Sequence, residues 1–117
     1  MSIRSVAAFA TLALSLTAVG VAAARPAAAH TAKVKVTAKD FSFAVSPKTV
    51  AHGRVTFAIK NSGAVMHDFD IAGHRSKTVG PGKSTTLTVT LKAGKWPYKC
   101  TIDDHASLGM KGTLHVT

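Results

Sequence analysis

Short runs of alternating apolar and polar residues make up the chain from residue 30 onward, and no helical hydrophobic period is found there. The runs recur at intervals of roughly ten residues and are separated by turn-forming Gly, Pro, Asn and Ser. Because successive side chains of a strand point to opposite faces, each run predicts a strand with one buried face. The pattern therefore predicts an all-β sandwich or barrel. The predicted strands are residues 33–38, 41–45, 54–60, 65–71, 85–91, 96–101 and 112–116.

The first 29 residues have a different character from the rest of the chain. Arg4 precedes an uncharged, Ala-rich run over residues 6–24, which predicts a secretory signal segment at residues 1–29. A retained transmembrane helix is the alternative, but Ala, Ser and Thr insert poorly into a bilayer. Cleavage is expected after Ala29, with cleavage after Ala24 as the second option. The mature chain is then one compact domain at residues 30–117, exported to the periplasm or secreted.

The chain is strongly basic, with 15 Lys and Arg residues against five acidic residues. Two of the basic residues, Arg4 and Arg25, lie in the predicted signal segment, so residues 30–117 carry a net charge of +8. Such a charge attracts anionic partners over long range. Nucleic acid is not expected as the partner, because the chain has no recognition motif and is predicted to be exported. An acidic redox protein is expected instead, or an anionic membrane surface, with the chain itself a monomer.

Cys100 is the only cysteine of the chain, although thiols of exported proteins normally occur in disulfide pairs. Alternation along residues 96–101 places Cys100 on the same inward face as Tyr98. The same reasoning along residues 65–71 places His67 inward with Val65, Phe69 and Ile71. Two side chains that can bind a metal ion are therefore predicted to point into the core from separate strands.

Cys100, His105 and Met110 follow one another at equal five-residue steps, so that one loop can fold all three around a single ion. With His67 they provide two imidazoles and a thiolate in a trigonal plane, and a weak axial thioether. This is the ligand set of a blue copper site. Zinc is the alternative metal, but structural zinc sites recruit more thiolates and rarely a thioether. One copper ion, alternating between Cu(I) and Cu(II), is the predicted cofactor.

Four sequence segments resemble those of the cupredoxins, the family of plastocyanin, pseudoazurin and azurin, and together they span essentially the whole mature domain. They are Asn61-Ser-Gly-Ala-Val-Met-His-Asp-Phe69, Val79-Gly-Pro-Gly-Lys-Ser84, Tyr98-Lys-Cys100 and Gly109-Met-Lys-Gly-Thr-Leu114. The resemblance implies a Greek-key β-sandwich with copper near one end and His105 as an exposed electron port. It also implies one-electron transfer between redox partners rather than enzymatic turnover.

The chain departs from the common cupredoxin pattern at two places. Asp68 replaces the Asn that often follows the first histidine ligand, and a carboxylate cannot donate a hydrogen bond as an amide does. Asp103 and Asp104 replace Pro-Gly before the second histidine, and they put negative charge beside the expected electron port. Both changes are expected to leave copper binding intact while altering the reduction potential or the partner surface.

Two other functions are considered for such a chain. A copper carrier or buffer usually has exposed Met-rich or His-rich tracts, whereas residues 30–117 contain only Met66 and Met110. A copper oxidase needs further His-x-His or His-Cys-His sets, which the sequence lacks. The remaining histidines are expected outside the site: His52, His74 and His115 face solvent, and His30 lies in a flexible terminus, where a second copper site is the alternative.

Overall fold

The computed structural model describes residues 13, 15 and 31–117. The rest of the predicted signal segment, both cleavage positions and His30 lie outside these residues, so those predictions stay predictions. No helix among the described residues is long and apolar enough to span a membrane.

Residues 31–117 form two β-sheets and contain no helix, which confirms the predicted all-β fold. The first sheet has four strands in the order β2-β1-β4-β7, and the second has five in the order β3-β9-β8-β5-β6. Successive strands repeatedly pass from one sheet to the other. The strands are β1 (Thr31–Lys39), β2 (Ser42–Ser46), β3 (Thr49–Val50), β4 (Gly53–Asn61), β5 (Asp70–Ile71), β6 (His74–Arg75), β7 (Ser84–Leu91), β8 (Gly94–Lys99) and β9 (Lys111–Val116).

The core lies between the two sheets and is built from the inward positions of the alternating strands. Phe69 links the sheets, because its ring contacts Phe43 and Phe57 of the first sheet and Tyr98 of the second, with centroid separations of 5.0–5.4 Å. Each large apolar side chain that is fully buried stabilises the fold by about 1.5–3 kcal/mol. The other buried apolar residues of this core are Val34, Val36, Val45, Val50, Val55, Ile59, Ile71, Val79, Val89, Leu91, Leu114 and Val116.

The predicted strand at residues 65–71 is largely wrong. Only its last two residues, Asp70 and Ile71, form a strand, and His67 makes a single isolated bridge to Val79. Nearby hydroxyl and amide side chains take over backbone hydrogen bonds that a regular ladder would make; for example, the Phe69 N–H donates to Ser76 Oγ at 2.9 Å. The predicted parity holds for three of the four residues, since His67, Phe69 and Ile71 are buried, but Val65 is 41% exposed.

Three connecting segments meet at one end of the sandwich. The turn between β1 and β2 contributes Asp40 and Phe41, the connection after β4 contributes residues 62–69, and the connection after β8 contributes residues 100–110. Hydrogen bonds and ring contacts join all three, as described below. His52, His74 and His115 lie elsewhere and are exposed, as predicted.

Candidate metal centre

Asn61, at the end of β4, anchors the segment that carries His67. Its side chain is fully buried, and its amide nitrogen donates to the carbonyl oxygens of Val65 and Val79, each at 2.7 Å. Its Oδ1 accepts the Gly63 N–H at 2.8 Å. A buried amide with its donors and acceptor paired fixes a segment that has no regular secondary structure. The imidazole of His67 is therefore held in the interior with 0% of its surface exposed.

A compact loop brings Cys100, His105 and Met110 together after β8. The Cys100 N–H donates to the Met110 carbonyl at 3.0 Å, and the Met110 N–H donates to the His105 carbonyl at 3.1 Å. Gly109 has a φ of 114°, a conformation that side chains with a Cβ rarely adopt, just before the chain enters β9. The five-residue steps therefore correspond to a loop closed on itself by backbone hydrogen bonds.

Three of the four predicted ligands converge on one point. One ligand atom each from His67, Cys100 and His105 lie within 4.8 Å of one another. Cys100 Sγ is 3.6 Å from His105 Nδ1. Met110 is fully buried and packs in the same small cluster as Cys100 and Ala38. The structure thus places Met110 beside Cys100, and its role as an axial ligand stays a prediction.

The orientation of His67 supports metal binding. Its Nε2 lies 2.7 Å from Asp40 Oδ1, and its Nδ1 is buried without a hydrogen-bond partner. Since an ionised carboxylate only accepts hydrogen bonds, Nε2 carries the hydrogen and the lone pair of the neutral ring is on Nδ1. A buried polar atom without a partner costs about 1–3 kcal/mol. A metal ion bound at Nδ1 would satisfy it, and two imidazoles with a thiolate are a donor set that suits copper.

Asp40 and Phe41 belong to this site although the sequence pattern did not identify them. Asp40 Oδ2 accepts the Ala64 N–H at 2.8 Å. Two hydrogen bonds lower the pKa of Asp40 below its ordinary value: the larger effect comes from the Ala64 N–H and the smaller one from the His67 ring. The Phe41 ring packs against His105, with centroids 4.8 Å apart, and lies 6.2 Å edge-on from His67. Both residues come from a turn far from the ligands in sequence, so no local spacing signals their role.

Asp68 ties the segment of His67 to the segment of Cys100. Its Oδ1 accepts the Thr101 N–H at 2.7 Å, and its Oδ2 accepts the Thr101 hydroxyl. The carboxylate is 2% exposed. The departure from Asn at this position therefore keeps the link between the segments, because Thr101 supplies two donors to a group that can only accept.

Burial raises the pKa of the Cys100 thiol. Hydrogen bonds from the backbone at Asp68 and Ile102 act in the opposite direction and stabilise the thiolate. Because the thiolate is the form that binds a metal ion, loading this site replaces the thiol proton.

Three large apolar side chains are exposed in the segments that carry the candidate ligands. Val65, Met66 and Leu108 are 41%, 53% and 54% exposed, and they belong to the same two segments as His67 and His105. The expected exposure of His105 needs correction: it is 7% exposed, because Phe41 covers part of its ring. It is still the most exposed of the four predicted ligands, and Asp103 and Asp104 lie exposed beside it.

A two-sheet sandwich with a buried His2Cys cluster at one end defines a small metal-binding β-domain. The chain belongs to the cupredoxin-like domain family, whose model matches residues 6–116. No curated protein sequence matches the chain.

Solved structures share this fold. Auracyanin A from Chloroflexus aurantiacus, described as a blue copper protein, is 21% identical over 75% of this chain and 100% of that chain, with a TM-score of 0.63. Reduced rusticyanin is 25% identical over 74% of this chain and 79% of that chain, with a TM-score of 0.62. A blue copper oxidase from Nitrosomonas europaea is 17% identical, with a TM-score of 0.59, and 74% of this chain aligns with 39% of that chain.

Proposed function

We propose that the chain is an exported blue copper protein that carries single electrons between redox partners. One copper ion would be held by His67, Cys100, His105 and Met110. The observation that carries the proposal is the buried cluster of two imidazoles and one thiol, in which His67 Nδ1 has no other partner. When bound, copper supplies a one-electron couple between Cu(I) and Cu(II) with this donor set.

The residues around the cluster support electron transfer in two ways. The ligands lie in segments that are hydrogen-bonded to one another and packed by Phe41, which limits their rearrangement when the charge of the site changes. The exposed apolar side chains of Met66, which precedes His67, and of Leu108, which follows His105 by three residues, offer a partner a contact surface in the two ligand-bearing segments. A partner that docks there approaches the edge of one ligand, while the rest of the site stays shielded from water.

The proposed partner is a redox protein with an acidic docking surface. Residues 30–117 carry 13 basic against five acidic residues, and this net charge of +8 steers an anionic partner toward the protein. An anionic membrane surface is the second candidate. The predicted signal segment, in which Arg4 precedes an apolar run, supports export to the periplasm or secretion. The single free cysteine supports a role of its thiol in metal binding, because thiols of exported proteins otherwise occur in disulfides.

A copper carrier or buffer is the alternative function. It would use the same four ligands but would transfer the ion rather than the electron. We favour electron transfer because the ligands are buried within the fold, from which release of the ion requires local opening. Oxidase activity is not proposed, because the sequence contains no His-x-His or His-Cys-His set for a further copper cluster.

A visible spectrum of the purified protein with one equivalent of Cu(II) tests the proposal. We expect an intense blue band, because a covalent copper–thiolate bond gives strong charge transfer, and we expect Cys100→Ser to abolish it. His74→Gln is the matched control, since that histidine is exposed in β6 and does not belong to the cluster, and it should keep the band. A colourless wild-type protein, or a Cys100→Ser variant that stays blue, would refute the assignment. Retention of the ion while electrons exchange with a redox partner separates a shuttle from a carrier.

A further inference from the structure

We propose that Asp40 is a positioning residue of the copper site, which holds His67 with Nδ1 toward the ion and lowers the reduction potential through its negative charge. The inference rests on the copper-binding function proposed above. It concerns a residue that lies 27 positions before His67 in the sequence and is not a ligand itself.

Two hydrogen bonds fix the Asp40 carboxylate at the back of the His67 ring. Oδ1 lies 2.7 Å from His67 Nε2, and Oδ2 accepts the Ala64 N–H at 2.8 Å. With both oxygens engaged, the carboxylate cannot rotate away without breaking a bond to one of them. The ring is thereby held in the tautomer that leaves the lone pair on Nδ1, which is the buried and unpartnered nitrogen.

Gly63 provides the space for this contact. A Cβ at position 63 would overlap the Asp40 carboxylate and lie 3.0 Å from His67 Nε2. The backbone of Gly63 does not have a positive φ, so its conformation is open to any residue. A glycine is therefore needed at position 63 because Asp40 and His67 occupy the space of a side chain, and not because of the backbone conformation of the turn.

The charge of Asp40 acts on the copper through the imidazole. A carboxylate that accepts the Nε2 hydrogen makes the ring a stronger donor at Nδ1. Its negative charge also favours the more positive of the two copper states by direct attraction. Both effects stabilise Cu(II) relative to Cu(I), and both therefore lower the reduction potential. A neutral acceptor at the same place would orient the ring without this shift.

Two variants separate position from charge. Asp40→Asn keeps an oxygen that can accept the hydrogen bond from His67 Nε2 but removes the negative charge. The Ala64 N–H is exposed, so it can form a hydrogen bond to water instead. Gly63→Ala keeps the charge but pushes the carboxylate away from the ring. Asp104→Asn is the control, because it removes an exposed carboxylate at the same end of the molecule that makes no side-chain hydrogen bond to a ligand.

The first measurement is the reduction potential of each blue, copper-loaded variant. For Asp40→Asn we expect the preference for Cu(II) over Cu(I) to fall about tenfold, which raises a one-electron potential by about 59 mV. Gly63→Ala should also raise the potential. Asp104→Asn should change the preference by less than about threefold, because its exposed carboxylate is screened by water and, unlike that of Asp40, makes no hydrogen bond to a ligand ring.

The second measurement uses the metal-free protein, so that it does not depend on copper binding. The ¹⁵N chemical shifts of the His67 ring report which nitrogen carries the hydrogen. We expect hydrogen on Nε2 alone in the wild type and in Asp40→Asn, and a mixture of tautomers in Gly63→Ala. If the wild-type protein is blue but Asp40→Asn leaves its potential unchanged, the proposed role of the charge is wrong and the copper site stands. If wild-type His67 already carries its hydrogen on Nδ1, the positioning role is wrong.

Discussion

Replacing Asp68 by Ala removes the acceptor of both hydrogen bonds that join the segment of His67 to the segment of Cys100. The Thr101 N–H then loses its partner, and an unpaired, partly buried donor costs about 1–3 kcal/mol. Relief from burying a carboxylate that is 2% exposed offsets part of that cost. We therefore expect Asp68→Ala to lower the free energy of unfolding by about 1–2 kcal/mol.

Thr101→Val removes only the hydroxyl donor and leaves the backbone bond in place. The lost bond has a charged acceptor, and such bonds contribute about 1.5–3 kcal/mol. Because the two substitutions remove the same hydroxyl–carboxylate bond, the double variant should be less destabilised than the sum of the singles, by about 1–2 kcal/mol. This coupling energy measures the contribution of one bond between the two ligand segments.

Urea unfolding of the metal-free protein, followed by the fluorescence of its single tryptophan, Trp96, measures these free energies. Thr88→Val is a matched control, since the Thr88 hydroxyl bonds to Thr56 at 3.1 Å on the exposed face of the first sheet. It should change stability by no more than about 0.5 kcal/mol. A coupling energy of Asp68 and Thr101 below about 0.5 kcal/mol would refute the reasoning.

Three further predictions concern the copper-loaded protein. Met110→Leu should keep the blue colour and raise the reduction potential, whereas Met110→Gln should lower the potential because an amide oxygen favours Cu(II). If both variants kept the wild-type potential but lost a few kcal/mol of stability, Met110 would be a packing residue and not a ligand. Met66→Leu is the control, because Met66 is exposed. Electron exchange with an acidic partner should slow as salt rises above about 0.1 M, where the Debye length is about 10 Å, and rates that do not depend on salt would count against steering. Since burial raises the pKa of Cys100, copper must displace the thiol proton at neutral pH. The apparent affinity for copper should therefore rise by about tenfold per pH unit until the pKa of the thiol is reached. Competitive titration at several pH values measures this affinity, and an affinity that does not change with pH would contradict the prediction.

The alternating pattern was sufficient to predict the all-β fold, because a two-residue period is a local property of each strand. It was also sufficient to predict that His67 and Cys100 point inward. The strands β3 and β6 were missed, since two residues are too short to show a period. The segment 65–71 has the composition of a strand, but hydrogen bonds from the side chains of Asn61 and Ser76 replace the backbone hydrogen bonds between strands. The alternation of apolar and polar residues contains no information about such side-chain bonds.

The candidate ligands could be selected from the sequence because three of them lie at regular steps in one loop and their chemistry is distinctive, and the structure brings His67, Cys100 and His105 together. The residues that support them could not, since each support is a contact between segments that are distant in sequence. Asp40 looks like an ordinary turn residue after a strand, and Thr101 looks like any residue after a cysteine. Only the fold brings Asp40 to His67 and Thr101 to Asp68.

Gly63 shows how a turn signal can conceal a role in the site. In the sequence, Asn61-Ser62-Gly63 reads as a turn, and a turn accounts for all three residues. In the structure, Asn61 pairs its buried amide with three backbone groups, while Gly63 leaves room for a carboxylate behind a ligand. A substitution at Gly63 would therefore act on the reduction potential through Asp40 while every ligand stayed unchanged. The reduction potential of such a site then depends on a hairpin turn and on a glycine as well as on the ligands, and it can vary between relatives whose ligands are identical.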